Sequence, residues 1–257
     1  MNTAQVGRAA SLLALFLALL LSSSALAVEL VVIGDSVAYG ANLESPHGRY
    51  GYVDYLYKWH PSDTTYNRAI GGTTAAQWSN QSFLNNQLAG TDPDFVVVQV
   101  GGNDLQGFIA NDGVLVWAEM VDLYHRLNAV YAAIKRARPR AKIIVVNYYD
   151  LTDQRWLPDG LLLGAGQLSS TYVRQLSHSV PAANWVISLA AGAHGAQLVD
   201  IYPRFLHHGY GVYLGDPRAT APMFFPALNG GLHTFDVHPG YEGHKNIAQA
   251  LEPLIFD

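Results

Sequence analysis

Short apolar runs that stop at glycine recur along this chain, and no other feature limits its fold as much. Val31-Val32-Ile33 runs into Gly34-Asp35-Ser36, and Asp94-Phe95-Val96-Val97-Val98-Gln99-Val100 runs into Gly101-Gly102-Asn103-Asp104. Runs of this length, rich in β-branched residues and bounded by turn residues, read as buried strands. The second is almost continuously apolar, as a central strand of a parallel sheet should be. Predicted strands cover 30–33, 64–69, 94–100, 142–146 and 197–201. Helices are predicted over 50–59, 74–88, 116–136 and part of 167–190, where Pro181 should force a break or a fresh start. A last helix, near 240–255, carries Ile247, Leu251 and Leu254 on one face. Residues 147–166 and 202–236 are expected to be loop. Strands alternating with crossovers of this length predict an α/β fold. The expected form is a three-layer α/β/α sandwich with a five-stranded parallel sheet in the flavodoxin-like order 2-1-3-4-5.

Composition narrows the partners and the compartment. Charged residues make up 14% of the chain and the formal charge is -5, so no basic surplus exists to neutralise nucleic-acid phosphates. Arg8 precedes an apolar block at 12–21, and small residues follow, ending in Ala25-Leu26-Ala27. That pattern predicts a signal peptide over residues 1–27, cleaved after Ala27, and export to the periplasm or outside medium of a bacterium. A spanning helix needs about twice that apolar length, so no stable membrane anchor is expected. There is no cysteine, which excludes disulfides, thiolate chemistry and lipid attachment through cysteine. A monomer with one domain over residues 28–257 is expected, relying on its core alone for stability.

Four polar patches follow predicted strands or precede the last helix. They are Gly34-Asp35-Ser36, the segment NRAIGGTT at 67–74, Gly101-Gly102-Asn103-Asp104, and Asp236-Val237-His238-Pro239. The carboxyl ends of parallel strands share one rim, where open α/β sheets place their ligands. The first three patches are therefore expected to be neighbours, and the fourth joins them if the last loop returns across the rim. Each has a plain structural reading: Ser36 as an N-cap, Gly71-Gly72 as a tight turn, Asn103 as an Asx-turn residue, Asp104 as a helix cap, His238 as a surface histidine. Their order and placement together favour a site.

In these four blocks the chain resembles the SGNH (GDSL) hydrolases, a family of serine esterases and lipases. The matching stretches are VVIGDSVAYG, NRAIGGTT, GGNDL and DVHPGYEGH, spanning residues 31–244. VVVQVGGNDLQGF is similar to the corresponding stretch of the bacterial periplasmic thioesterase/lysophospholipase branch. The resemblance implies Ser36 as nucleophile and His238 as general base. It also implies an oxyanion hole from the backbone N–H groups of Ser36 and Gly72 and the side-chain amide of Asn103, with no cofactor and no metal. Asp35 would brace its turn rather than react, and Asp104 would be a structural cap.

One departure stands out. The family's acid lies three residues before the histidine, and here that position is Phe235. Asp236, two residues before, shares a face with His238 if the segment is extended and is the expected orienting acid. A backbone carbonyl of Thr234 or Phe235 is the alternative.

Substrates are expected to be short- to medium-chain acyl or aryl esters, with thioesters or lysophospholipids in range. Sugar O-acetyl esters are the alternative on the same site. Tyr148, Tyr149, Trp156, Leu161-Leu162-Leu163 and Met223-Phe224-Phe225, in the two long loops, would either wall the site or pack those loops onto the core. Two other classes fit the sequence less well. A metal-dependent hydrolase would use His207, His208, His233, His238 and His244, but none has ligand spacing. A non-catalytic glycan-binding or scaffold protein on the same fold would not need all four reactive positions. A dinucleotide site is weaker still, since no turn spells G-x-G-x-x-G.

Overall fold

The computed structural model describes residues 27–41, 43, 51–113, 115–152, 162–163, 168–208 and 238–256. Five strands form one parallel sheet: β1 (Glu29–Gly34), β2 (Thr64–Asn67), β3 (Phe95–Gln99), β4 (Lys142–Val146) and β5 (Gln197–Val199), in the order β2-β1-β3-β4-β5. This is the predicted fold and strand order. β3 is buried at every position, and β1 at all but its first, because helices cover both faces of the sheet.

The helices are α1 (Ser36–Tyr39), α2 (Tyr52–Trp59), α3 (Ala75–Trp78), α4 (Gln81–Gln87), α5 (Gly102–Asp112), α6 (Trp117–Ala137), α7 (Ser170–Ala193), α8 (Tyr202–Phe205) and α9 (Tyr241–Ile255). Right-handed crossovers put α2 and α9 together on one face, and α3, α4, α6 and α7 together on the other. Leu162–Leu163 and Leu168–Ser169 pair as a separate antiparallel ribbon.

Local expectations need correction: the segments expected to be loop carry strand at Leu162–Leu163 and a helical turn at Tyr202–Phe205, and three further points differ. Residues 74–88 do not form one helix. Ser79 and Asn80 divide it, with the Asn80 side chain accepting from the Phe83 amide at 3.0 Å and starting α4 afresh. α5 was hidden, because Gly101-Gly102-Asn103-Asp104 reads as a turn. In fact the helix begins at Gly102 and drives Leu105 and Ile109 into the core. Pro181 breaks nothing: α7 runs through it. Val173, Leu176, Val180, Ala183, Val186 and Ile187 are all buried along that helix, and their packing outweighs the roughly 3 kcal/mol that an interior proline costs. The expected signal peptide, Trp156 and Met223-Phe224-Phe225 lie outside the described residues, as does Asp236.

The α2–α9 face is held by a buried histidine. On α9, Ile247, Leu251 and Ile255 are buried against the sheet, and His244 is buried with them. Its Nδ1 accepts from the Tyr52 amide, the first of α2, at 3.2 Å, so the ring proton belongs on Nε2. Burial, with a contribution from nearby His238, pushes the His244 imidazole down to about 3. An unfolded chain would take up this proton below the ordinary histidine value of 6.5, whereas the native chain resists until about 3. Stability tied to His244 is therefore present above pH 6.5 and is lost as pH falls through that window, at about 1.4 kcal/mol per pH unit. His244→Asn, which keeps an acceptor for Tyr52 but cannot titrate, should lower the melting temperature at pH 7 and flatten its fall between pH 6.5 and 4. Thermal unfolding followed across that range checks this.

Candidate active site

The site begins where β1 and β3 end side by side. A Cβ added at Gly34 would lie 2.3 Å from the Gln99 carbonyl oxygen and 2.7 Å from the Ala38 Cβ, so only glycine fits. The close approach lets the Asp35 amide donate to the Gln99 carbonyl at 3.1 Å. The chain then turns sharply into α1, with the Asp35 side chain accepting from the Val37 amide at 3.0 Å as the N-cap. Ser36, half-buried, is the first residue of that turn and stands on the rim.

Asp35 braces this turn, as expected, and does more. Its second carboxylate oxygen accepts from the Tyr148 hydroxyl at 2.5 Å, a residue just past β4. A side chain at Gly102 would sit 2.7 Å from the Tyr148 ring and 3.0 Å from that same oxygen. The glycine there makes room for the bond. The Asn184 side chain on α7 clamps the Tyr148 backbone, accepting from its amide at 3.0 Å and donating to its carbonyl at 2.6 Å. Burial pushes the Asp35 carboxyl up to about 6, opposed by the Tyr148 hydroxyl, the Val37 and Ala38 amides and the charge of His238. Burial raises the Tyr148 hydroxyl as well, and the Asp35 charge adds to that shift.

On the opposite side of Ser36 lies the glycine block. A Cβ on Gly71 would come within 3.8 Å of the Ser36 Cβ, and Gly72 sits exposed beside it. Thr73 pins the block to β1, its hydroxyl 3.0 Å from the Gly34 carbonyl and 2.7 Å from that of Ile70, while the Trp78 indole donates to it at 2.8 Å. The Asn103 side-chain amide donates to the Thr73 carbonyl at 2.9 Å, which joins the asparagine block to the glycine block. An amide NH2 has two hydrogens, so this bond leaves one for another acceptor. Asp104 caps a neighbouring helix rather than its own. It accepts from the Ala75 amide at the start of α3 at 2.7 Å and pairs with Arg126 at 3.1 Å.

His238 completes the convergence. It lines one cleft with Ser36, although about 200 residues of sequence separate them. Asp35, Gly102 and Tyr148 form the polar end of that cleft, and Leu105, Tyr149, Leu151, Leu176 and Val180 its apolar wall. Gly72 and Asn103 stand on the same rim through the bonds just described, outside the cleft lining. Two cleft residues were not foreseen in these positions. Tyr148 read only as part of an apolar wall, yet its hydroxyl is the polar end that matters. Ser177 on α7 carried no signal; its hydroxyl is buried in the wall and has no hydrogen-bond partner among the described residues. Among the described residues, no three His, Asp or Glu side chains are grouped to hold a metal ion.

Known proteins give the arrangement a family. The sequence profile of the GDSL-like lipase/acylhydrolase family matches residues 32–245. No curated protein matches the chain in sequence. Among solved structures it is similar to a phospholipase A1 from Streptomyces albidoflavus NA297, at 20% identity and a TM-score of 0.62, covering 88% of this chain and 99% of that one. An extracellular lipase from Streptomyces rimosus superposes with a TM-score of 0.60 at 21% identity, with the same coverage of 88% and 99%. An acetylxylan esterase from Geobacillus stearothermophilus has a TM-score of 0.57 at 18% identity, over 90% of this chain and 94% of that one. Likeness at such identities speaks for the shared fold, and the profile match speaks for the family. The chain belongs to the GDSL-like lipase/acylhydrolase family and is a carboxylic ester hydrolase.

Proposed function

We propose that this protein is an exported, monomeric serine esterase working through an acyl-enzyme on Ser36. The observation that carries the reading is that Ser36 and His238 line one cleft. In this scheme His238 takes the Ser36 hydroxyl proton as the oxygen attacks the acyl carbonyl carbon. The carbonyl π electrons move onto oxygen, and the anion is met by the backbone N–H groups of Ser36 and Gly72 and the free hydrogen of the Asn103 amide. Collapse expels the alcohol, which leaves with the proton from His238. Water then repeats the cycle and releases the acid. Asp236 is assigned to orient the imidazole, with a backbone carbonyl of Thr234 or Phe235 as the alternative. Export rests on Arg8, the apolar block and Ala25-Leu26-Ala27.

The apolar wall favours short- to medium-chain acyl or aryl esters, with thioesters or lysophospholipids in range. A second reading, deacetylation of glycans, draws on the likeness to the acetylxylan esterase. Rates on p-nitrophenyl esters from acetate to palmitate, beside acetylated glycans, decide between them: a strict preference for acetylated sugar selects the second.

Ser36→Ala should abolish turnover on every ester in that series and abolish labelling by a fluorophosphonate probe, with circular dichroism unchanged. Asn103→Ala should lower kcat by about 10²–10³, the usual loss of one oxyanion donor, in steady-state assays. Asp236→Asn should lower kcat if its carboxylate steers the ring; a near-normal rate assigns that task to the main chain.

A further inference from the structure

The geometry points to Asp35 as a positioning residue: its buried carboxylate, in the same cleft as Ser36 and His238, supplies the negative charge that stabilises the imidazolium formed during acyl transfer. The inference rests on the reading of Ser36 and His238 as nucleophile and base.

Nothing in Asp35's structural duties needs a charge. Asparagine caps helices as well as aspartate does. Its side-chain oxygen would accept from the Val37 amide, and its NH2 could donate to the Tyr148 hydroxyl oxygen, a contact of reversed direction in place of the present one. A carboxylate is nonetheless kept at 2% exposure, where losing water disfavours its ionised form. A charge held where a neutral isostere would fit is the pattern of a site that uses the charge.

The neighbours show which group the charge can serve. Tyr148 reaches Asp35 from the end of β4, and Tyr52 senses its charge from α2. Both phenols stay protonated, their acidity suppressed by burial. Behind Tyr148, Asp104 is already paired with Arg126. On α9, His244 faces His238 and is kept neutral by burial. That leaves His238 as the one described group beside Asp35 that can take up a positive charge, and its charge favours the ionised Asp35 carboxylate. Phe235 stands where the family places its acid. Asp35 would thus supply from the nucleophile's own turn part of what that acid supplies from the histidine loop. Tyr148 completes the device, since its hydrogen bond opposes the rise in the Asp35 carboxyl and keeps it ionised near neutral pH.

Two variants test this, read as kcat, KM and the pH profile of kcat/KM. Asp35→Asn should lower kcat about 10- to 100-fold with little change in KM. The acid limb should move to lower pH, because the charge favouring the imidazolium and its own titration near 6 are both gone. Its melting temperature at pH 7 should equal or exceed wild type. Tyr148→Phe should move the acid limb the other way, to higher pH, and decides the matter alone if the first variant does not fold. Wild-type kcat in Asp35→Asn, or a loss of rate with the acid limb unmoved in both variants, overturns the inference. Ser36→Ala assayed alongside separates the failures. If it is active, the nucleophile reading falls with this one. If it is dead while Asp35→Asn is silent, only the role of Asp35 falls.

Discussion

The hydrogen bond between the Tyr148 hydroxyl and the buried Asp35 carboxylate is the contact on which the rest of the site depends. It joins the ends of β1 and β4, which are not neighbours in the sheet because β3 lies between them. The bond can span β3 only because the chain leaving it does so through Gly102, where any side chain would meet both partners. One carboxylate oxygen sets the turn that presents Ser36, and the other sets the wall of the cleft. Nucleophile and cleft are therefore positioned by a single group.

The polar tie on the other side is of the same kind. Asn103 reaches from the start of α5 to the Thr73 carbonyl, and Thr73 in turn holds the β1 terminus. Neither bond lies within a strand ladder: the first joins the segments that leave β3 and β2 across the intervening β1, and the second ties the segment after β2 to the last residue of β1. Such cross-links limit how far the loops on the rim can move independently, which is what an anion pocket needs. Preorganised donors cost no rearrangement at the moment charge develops.

Two buried titratable groups pull stability in opposite directions. Asp35 is shifted upward, so the native chain takes up a proton between pH 3.8 and about 6 that the unfolded chain does not. Its contribution to stability shrinks as pH rises through that window. His244 is shifted downward, and its contribution is lost as pH falls from 6.5 toward 3. The ionised Asp35 is a standing cost at neutral pH, offset by a core that runs from the sheet through α6, α7 and α9.

The sequence by itself determined the strands, their parallel order, and which polar blocks end on the rim, because glycine-terminated β-branched runs have few ways to pack. It also marked Gly34, Ser36, Asn103 and His238, whose residue types are tied to local turns and reactive chemistry. It missed α5 because a helix that opens on two glycines looks like a turn, and it overrated Pro181 because local propensity yields to packing. Only the tertiary structure decided that Tyr148 turns its hydroxyl onto Asp35, that Asp104 caps α3 instead of its own helix, and that Ser177 is buried in the cleft wall. Those are contacts between segments far apart in the chain. Their outcome depends on the depth at which each side chain meets its neighbour, and no spacing along a single strand or helix encodes that depth.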